Sequence, residues 1–294
     1  MRLSCALVLA ITVLVSDLRA VDFLRGDVDG SGRIAVSDAI RILLHLFQGD
    51  AAAVPCADAA DADDSGAIDL ADAVHLLSVL FLGGPAPAPP FPACGEDPTE
   101  DALGCDQACP PASVYFGREV RADGLFIVMD SSGGMLDSGE LARAKAEAGR
   151  LIESLPPGTE FGVIFSRADA VVFPADGTPA QSTDGMKALA VEFIRNTMIT
   201  SGPNCPLAGL LAALEFAENS GGRSAAILYV SEGEGTCRGL DERAYLEEVL
   251  ETVTATNAGL ARIHTFKPFL GGLLAERYME RLAIRNGGVY TRMR

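Results

Sequence analysis

Two twelve-residue segments, which begin 34 positions apart, constrain this chain more than any other feature. Loop 1 runs from Asp27 to Asp38, and loop 2 runs from Asp61 to Asp72. Each has an oxygen-bearing side chain at positions 1, 3, 5 and 12, glycine at position 6 and isoleucine at position 8. Glycine permits a sharp turn, so the spaced carboxylates and hydroxyls can converge on one point. We interpret this repeat as ligand spacing, because an ordinary acidic surface does not reproduce it.

The spacing is similar to that of EF-hand calcium loops, in which a hard cation is surrounded by about six to eight oxygen atoms. Position 7 supplies a main-chain carbonyl, and position 12 is aspartate here where EF-hands usually have glutamate. The resemblance implies two Ca²⁺ sites. The expected ligand positions are Asp27, Asp29, Ser31, Arg33 and Asp38 in loop 1, and Asp61, Asp63, Ser65, Ala67, Asp69 and Asp72 in loop 2.

An apolar helix is predicted after each loop, over residues 39–47 and 73–81, and no helix-length segment precedes either loop. This duplicated loop-then-helix unit resembles the dockerin type I module of bacterial secreted proteins. The resemblance implies docking to a cohesin-like partner in a polysaccharide-degrading complex. Dockerins recognise cohesins near positions 10 and 11 of each loop, here Val36-Ser37 and Leu70-Ala71, and these pairs differ from each other. A purely structural role for calcium is the alternative.

Negative charge is concentrated in the first half of the chain. The formal net charge is −17, and residues 21–113 contain 16 acidic and 3 basic side chains. Residues 114–294 contain 23 acidic and 18 basic side chains. Bound cations would neutralise part of the acidic half. An acidic chain without basic patches argues against a nucleic-acid partner.

The N-terminus has the pattern of an export signal. Met1-Arg2 is a positive start, residues 6–15 are apolar, and Leu18-Arg19-Ala20 is an acceptable cleavage site. The apolar run is too short for a membrane span. We therefore predict a signal peptide over residues 1–20 and a mature chain without a membrane span that is secreted, extracellular or periplasmic.

Six cysteines follow the predicted signal peptide, and an even count in an exported protein favours disulfides. Their order along the chain favours the pairs Cys56–Cys94 and Cys105–Cys109. Zinc binding is the competing interpretation, but the spacings do not match zinc ribbons and no histidine lies nearby in a suitable pattern. Residues 85–121, which are rich in proline and contain cysteines, are predicted to form a linker.

Residues 122–294 alternate between strand and helix patterns, which predicts an α/β doubly wound, Rossmann-like domain. Such sheets bind ligands beyond the carboxyl ends of their strands. The chain is therefore predicted to be multidomain, with a small all-α module at residues 21–84 before this domain. The predicted strands are 125–129, 160–166, 170–173, 224–230, 262–266 and 288–291, and the predicted helices are 139–154, 184–196, 207–218, 240–255 and 272–286.

The segment that follows the first strand, Asp130-Ser131-Ser132-Gly133-Gly134, resembles the Asp-x-Ser-x-Ser motif of von Willebrand factor A (VWA) domains. Ser231-Glu232-Gly233 stands where that family usually has Thr-Asp-Gly. The resemblance covers about residues 122–294. It implies adhesion, matrix or surface-assembly roles, with a protein or matrix ligand bound at a metal-ion-dependent adhesion site. The matching positions are Asp130, Ser132, Gly134, Cys205 (or Asn204 in another alignment) and Glu232.

Three of these positions depart from the family pattern. Gly134 replaces a serine, Cys205 or Asn204 replaces a threonine, and Glu232 replaces an aspartate. Mg²⁺ needs near-ideal octahedral oxygen ligation, and a thiol is a soft ligand. We therefore expect a degenerate site with weak or no Mg²⁺ binding, with a Cys205–Cys237 disulfide making the loops rigid. The alternative is a weak site that uses Asp130, Ser132, Glu232 and waters.

No catalytic constellation is evident. The three histidines lie in apolar helices or a strand, and the chain has neither a Gly-x-Ser-x-Gly elbow nor a P-loop. The sequence therefore predicts an exported calcium-binding protein that mediates protein–protein or matrix interaction, and not an enzyme.

Overall fold

The computed structural model describes residues 21–105, 109–110, 112–199, 202–220, 224–239, 241–269 and 272–293. The predicted signal peptide lies outside the described residues. Residues 21–110 are called the N-terminal module below, and residues 112–293 are called the α/β domain. Among the described helices, none is both long enough and apolar enough to cross a membrane.

The N-terminal module is helical, with α1 (Val36–Gln48), a short α2 (Ala57–Ala60) and α3 (Leu70–Leu82). The helices α1 and α3 each begin near the end of a twelve-residue loop. They stop at Gly49 and Gly83, which adopt left-handed conformations with φ of 68° and 65°. Glycine takes this conformation without side-chain strain, so it is a common helix terminator.

The core of this module is small. It consists of one buried face of α1 and of α3 together with three residues from the loops and α2. A core of this size provides limited stabilisation by itself, so small modules commonly use covalent or metal cross-links. Its fully buried residues are Val28, Ala39, Ile42, Ala60, Ala62, Ala73 and Leu76.

The chain does not leave the module after α3. Residues 88–105, here called the strap, return across it. Phe23 and Gly95 exchange main-chain hydrogen bonds of 2.9 and 3.0 Å, and the Ala57 N–H donates to the Gly104 oxygen at 2.9 Å. The structure therefore differs from the predicted linker over residues 85–121, because main-chain groups of this segment pair with the module instead of facing solvent.

Three disulfides are present in the described residues: Cys56–Cys105, Cys94–Cys109 and Cys205–Cys237. The last is the pair expected from the sequence. The expected pairs Cys56–Cys94 and Cys105–Cys109 are wrong. The strap places Cys105 opposite Cys56 in an antiparallel bridge, which leaves Cys94 to pair with Cys109. Order along the chain does not show this crossing.

The α/β domain is built on a seven-stranded sheet with the order β5-β4-β3-β7-β8-β9, and β6 pairs with β4. Strands β3, β4, β7, β8 and β9 run parallel, and β5 and β6 pair antiparallel with β4. A separate hairpin contains β1 and β2. The strands are β1 (Ala112–Tyr115), β2 (Arg118–Arg121), β3 (Gly124–Asp130), β4 (Glu160–Ser166), β5 (Ala170–Phe173), β6 (Ala180–Gln181), β7 (Ala225–Val230), β8 (Ala261–Lys267) and β9 (Tyr290–Arg292).

Helices cover both faces of this sheet. They are α4 (Gly133–Asp137), α5 (Glu140–Ser154), α6 (Asp184–Asn196), α7 (Pro206–Asn219), α8 (Glu242–Asn257) and α9 (Leu273–Arg285). On β3, Leu125, Ile127 and Met129 join the core under α5 and α6, whereas Phe126 and Val128 join the core under α7, α8 and α9. Every residue of β3 is buried, which explains why this strand is a continuous apolar run.

The β1–β2 hairpin lies inside the predicted linker and was not expected from the sequence. Its turn has positive φ at Phe116 (46°) and Gly117 (75°). Two-residue hairpin turns need positive φ and are usually signalled by Asn-Gly or Asp-Gly, so Phe-Gly is a poor signal. The hairpin packs on the sheet through Tyr115, which is fully buried and lies edge-on to Phe266 at 5.0 Å.

Loop 1 of the N-terminal module contacts the α/β domain at the amino ends of β7 and β8. The Ser224 hydroxyl donates to the Ser31 oxygen at 3.0 Å, and Arg262 Nη1 donates to the Gly32 oxygen at 3.2 Å. From the other side, Arg33 Nη2 donates to the Gly259 oxygen at 3.2 Å. This contact therefore lies at the amino ends of the parallel strands, on the side of the sheet opposite their carboxyl ends.

Candidate functional sites

The acidic side chains of loop 1 converge. Asp27, Asp29 and Asp38 each bring one carboxylate oxygen within 4.8 Å of the others. The Ser31 hydroxyl lies 3.3 Å from Asp27 Oδ1 and 3.3 Å from the main-chain oxygen of Arg33. The Gly32 N–H donates to Asp27 Oδ2 at 2.7 Å, so the turn at position 6 holds the first carboxylate in place. The expected ligand positions of loop 1 therefore lie together.

Loop 2 repeats this arrangement. Asp61, Asp63 and Asp72 form the same three-carboxylate cluster. The Ser65 hydroxyl lies 3.4 Å from Asp61 Oδ1 and 3.2 Å from the main-chain oxygen of Ala67. Asp69 is the exception among the expected ligands, because it lies outside this cluster. Its Oδ1 accepts from the Ala71 N–H at 2.6 Å and so caps the start of α3.

The aspartates at position 12 are shielded from solvent in both clusters, as is Asp61 of loop 2. Asp38 and Asp72 are fully buried; Asp38 accepts two main-chain N–H groups of its own loop, and Asp72 accepts three. Burial raises the pKa of Asp27 and Asp38 to about 7 and that of Asp72 to about 6. Carboxylates held this close without a cation resist ionisation, and a divalent cation would reverse that preference.

The donor set fits a hard cation. Carboxylates, one hydroxyl and one main-chain oxygen are available in each loop, without nitrogen or sulfur donors among the residues that converge. Oxygen ligands with this spacing suit Ca²⁺, which tolerates irregular geometry and completes its shell with water.

The second candidate site lies at the carboxyl ends of β3 and β7. Asp130 ends β3 and is 1% exposed. Its Oδ1 accepts from the Ser132 N–H at 2.8 Å, and its Oδ2 accepts from Asn204 Nδ2 at 2.6 Å and from the Ser231 hydroxyl at 2.7 Å. Both carboxylate oxygens are therefore engaged by the protein. Burial raises the pKa of Asp130, and these hydrogen bonds act in the opposite direction.

Glu232 and Gly134 occupy complementary space beside Asp130. A Cβ atom on Gly134 would overlap both carboxylate oxygens of Glu232. The Ser132 hydroxyl donates to Glu232 Oε1 at 3.3 Å. Burial raises the pKa of Glu232 to about 7, and the nearby Asp130 adds to the shift. The longer side chain at position 232 thus occupies the space that a serine at position 134 would need.

The residues at this site are partly those that the sequence indicated. Asp130, Ser132, Gly134 and Glu232 lie together. Asn204, rather than Cys205, points its side chain at Asp130, and Cys205 instead forms the disulfide with Cys237. Ser231 was missed, although its place directly after β7 is the position where ligand-binding residues occur in such sheets.

This arrangement is a closed hydrogen-bond network. A metal ion bound to Asp130 Oδ2 would have to displace the Asn204 amide or the Ser231 hydroxyl. The Ser131 hydroxyl is also engaged within the protein, because it donates to the Ser166 main-chain oxygen at 2.9 Å. The fold and this site define an α/β domain with an open mixed sheet and a serine–aspartate loop after its central strand.

Solved structures with a similar fold include von Willebrand factor type A proteins and pilus proteins. No model of a protein family matches this chain, and no curated protein matches it in sequence. A von Willebrand factor type A protein from Catenulispora acidiphila is 17% identical, over 58% of this chain and 38% of that one, with a TM-score of 0.49. The pilus adhesin SpaC from Lactobacillus rhamnosus GG is 9% identical, over 57% and 27%, with a TM-score of 0.44.

The von Willebrand factor domain of the type V pili tip protein Mfa5 from Porphyromonas gingivalis is 13% identical. That similarity covers 57% of this chain and 89% of that one, with a TM-score of 0.44. This chain therefore spans well under half the length of the first two proteins and most of the third.

Proposed function

We propose that this chain is an exported, calcium-stabilised protein that binds another protein or a matrix component through the carboxyl-end face of its α/β domain. Binding there does not depend on a metal ion at Asp130. The export signal pattern at residues 1–20 and the three disulfides support an oxidising, extracellular or periplasmic location. The VWA-like motif supports recognition of a macromolecule instead of catalysis.

The exposed apolar side chains at this face carry the proposal. Met198 is 88% exposed, Phe269 78%, Leu273 74% and Leu136 38%. All four lie in segments that leave the carboxyl ends of the parallel strands or cross the face beside them. Large exposed apolar side chains on such a face are typical of protein interaction surfaces. Binding by apolar contact also agrees with the closed hydrogen-bond network around Asp130.

The test separates apolar contact from metal-dependent contact. Extracellular and envelope proteins are captured by the full chain in buffer that contains Ca²⁺, and bound proteins are quantified. The variants Met198→Ser and Phe269→Ser should each lose about tenfold in affinity, because one buried apolar anchor is worth about 1–2 kcal/mol. Asp130→Asn should bind within about twofold of the parent.

Leu189→Ser and Ile284→Ser are matched controls. Both residues are exposed apolar side chains, 52% and 66%, and they lie within helices α6 and α9. Loss of binding in Asp130→Asn with normal binding in Phe269→Ser would refute the proposal and restore metal-dependent adhesion through Asp130, Ser132 and Glu232.

A second candidate function rests on the N-terminal module. On α1, Val36, Ile40 and Phe47 are 42%, 49% and 74% exposed. Their spacing of four and seven residues places them on one face, away from the buried Ala39 and Ile42. An exposed apolar stripe on a surface helix is a candidate docking face.

The helix α3 repeats this stripe at the equivalent positions. Leu70, Val74 and Phe81 are 52%, 57% and 66% exposed. Two matched stripes support docking to a partner, for which the dockerin resemblance suggests a cohesin-like protein. Capture of a partner that is lost in Ile40→Ser or Val74→Ser, and kept in Phe269→Ser, would favour this function over the first.

A further inference from the structure

A third acidic cluster lies outside both loops, where the strap crosses α2. Asp58 belongs to α2, and Asp97 and Asp101 belong to the strap. One carboxylate oxygen from each lies within 4.8 Å of the others. None of these three residues is among the expected calcium ligands of loops 1 and 2.

The neighbouring arginine neutralises only part of this charge. Arg25 is fully buried, and its Nη2 lies 2.9 Å from Asp64 Oδ1 and 2.9 Å from Asp97 Oδ1. The hydrogen bond from Arg25 to Asp58 in the described structure runs from Nη1 to the main-chain oxygen, at 3.1 Å, and not to the carboxylate. One guanidinium therefore faces a group of carboxylates that outnumbers it.

Asp58 is the residue that points to a ligand. It is 8% exposed, and its Oδ1 is buried without a hydrogen-bond partner in the described part of the chain. A buried carboxylate oxygen that receives no donor is costly, and buried polar groups in native proteins normally have a partner. A cation between Asp58 and the two strap carboxylates would supply one.

The two strap carboxylates are each held through one oxygen. Asp97 Oδ1 accepts from Arg25 and from the Thr99 N–H at 3.0 Å. Asp101 Oδ1 accepts from the Leu103 N–H at 2.7 Å. Among the described residues neither Oδ2 atom accepts a hydrogen bond, and main-chain groups hold both carboxylates in position.

We propose that Asp58, Asp97 and Asp101 bind a third hard divalent cation of the Ca²⁺ class. Three carboxylates without nitrogen or sulfur donors suit such a cation, with water completing its shell. The ion fastens the strap to α2 next to the Cys56–Cys105 disulfide. It thereby stabilises a module whose apolar core is small.

Calcium stoichiometry tests this site directly. Native mass spectrometry and titration calorimetry are performed on residues 21–294 with the disulfides formed, and Ca²⁺ is raised into the millimolar range in which weak extracellular sites fill. The parent should bind three Ca²⁺, and Asp58→Asn and Asp101→Asn should each bind two. Glu100→Gln, which removes a neighbouring exposed carboxylate, should still bind three. A parent count of two, or an unchanged count in both variants, overturns the proposal.

Asp101 also lies within 4.8 Å of Asp61 and Asp64, so a role as an additional ligand of loop 2 must be distinguished. If Asp101→Asn weakens one of two sites and leaves the count at two, the third site is refuted. The double variant Asp27→Asn/Asp61→Asn disables both loops and should retain one Ca²⁺. A count of zero there refutes the third site, whereas a count equal to the parent refutes the calcium loops.

Asp101 is exposed, so Asp101→Asn tests the site even if Asp58→Asn does not fold. Circular dichroism of each variant in excess Ca²⁺ establishes that a reduced count does not come from unfolding.

Discussion

At the scale of single residues, Gly134 and Glu232 show how two substitutions depend on each other. In the motif that this loop resembles, position 134 is a serine and position 232 an aspartate. Here the longer acidic side chain reaches over a residue without a Cβ atom, and Ser132 donates a hydrogen bond to it. A serine at position 134 beside Glu232 would clash, and an aspartate at position 232 beside Gly134 would leave a gap. Buried sites tolerate little change in volume.

Gly134→Ala should lower the free energy of unfolding by about 1 kcal/mol, because its Cβ atom displaces the Glu232 carboxylate from Ser132. In the background of Glu232→Ala the same change should cost nearly nothing. Urea unfolding of the two single variants and the double variant measures this coupling. Gly149→Ala is the control, since a Cβ atom there meets no atom within 4 Å and the site is inside α5. Additive effects of Gly134→Ala and Glu232→Ala would contradict the contact.

His264 on β8 is held in its neutral form. It is 6% exposed, and its Nδ1 accepts from the Val289 N–H at 3.3 Å. Burial, together with the nearby positive charges of Arg262 and Arg118, lowers its pKa from 6.5 to about 4. In the unfolded chain the imidazole takes up a proton near pH 6.5, whereas the folded state excludes that proton until about pH 4.

This difference predicts a pH dependence. Between pH 6.5 and 4 the unfolded state binds more protons than the folded state. His264 therefore does not lower the free energy of unfolding above pH 6.5, and lowers it progressively as the pH falls below 6.5. Between pH 7.5 and 5.5 the parent should lose about 1 kcal/mol relative to His264→Gln, which has no titrating group. Chemical denaturation of both proteins across this range measures the difference. Parallel stability curves would show that His264 takes up its proton at the same pH in the folded and unfolded states.

At the scale of elements, each twelve-residue loop and its following helix form one unit. The position 12 aspartate lies in the first turn of α1 or α3 and accepts main-chain N–H groups from its own loop. The loop, the helix start and the carboxylate cluster are therefore ordered together. Binding of an ion should stabilise the helix as well as the loop.

Removal of Ca²⁺ should destabilise the N-terminal module. At a Ca²⁺ concentration about one hundred times the Kd, one site adds about 2.7 kcal/mol to stability. Differential scanning calorimetry with EGTA should therefore show a lower Tm for the transition of this module. Asp72→Asn should show a smaller response, because loop 1 remains intact. Asp22→Asn, an exposed carboxylate outside the loops, should respond as the parent does. A Tm that does not depend on Ca²⁺ would contradict the calcium loops.

At the scale of the whole molecule, loop 1 both forms a carboxylate cluster and contacts the α/β domain. Its carboxylates face the proposed ion, and two of its main-chain oxygens, at Ser31 and Gly32, accept from Ser224 and Arg262 of the α/β domain. Arg33 extends from the same loop to Gly259. Loop 2 has no equivalent contact among the described hydrogen bonds, so the two repeats are not equivalent in the folded protein.

Arg262→Ala should loosen the contact between the N-terminal module and the α/β domain. Small-angle X-ray scattering should show a larger radius of gyration, and Arg33→Ala, on the other side of the contact, should have the same effect. The affinity of loop 1 for Ca²⁺ should fall in both variants, because docking and ion binding order the same main chain. Arg281→Ala is the control, since that residue forms an exposed ion pair with Glu247 on the surface of the α/β domain. Unchanged scattering would contradict the docked arrangement.

The elements of the α/β domain follow well from local patterns. Apolar runs predict β3, β4 and β7, and helical periodicity predicts α5 to α9 with ends within two residues, whereas the five-residue α4 was not predicted. The β1–β2 hairpin could not be predicted, because its turn is Phe116-Gly117 and its strands have only four residues each. Its place on the sheet depends on Tyr115 meeting Phe266 from the far end of the chain.

Helices α1 and α3 begin at Val36 and Leu70, three residues before the predicted starts at 39 and 73. The ligand spacing of the two loops and the approach of Asp130 to Ser132 were determined by the sequence alone. They involve residues at most twelve positions apart, so local geometry is sufficient. The strap, the partner of Cys56 at a separation of 49 residues, and the Ser231 hydroxyl on Asp130 at a separation of 101 residues were decided only by the tertiary structure. Such contacts depend on where distant segments cross, and that is set by the packing of the whole core.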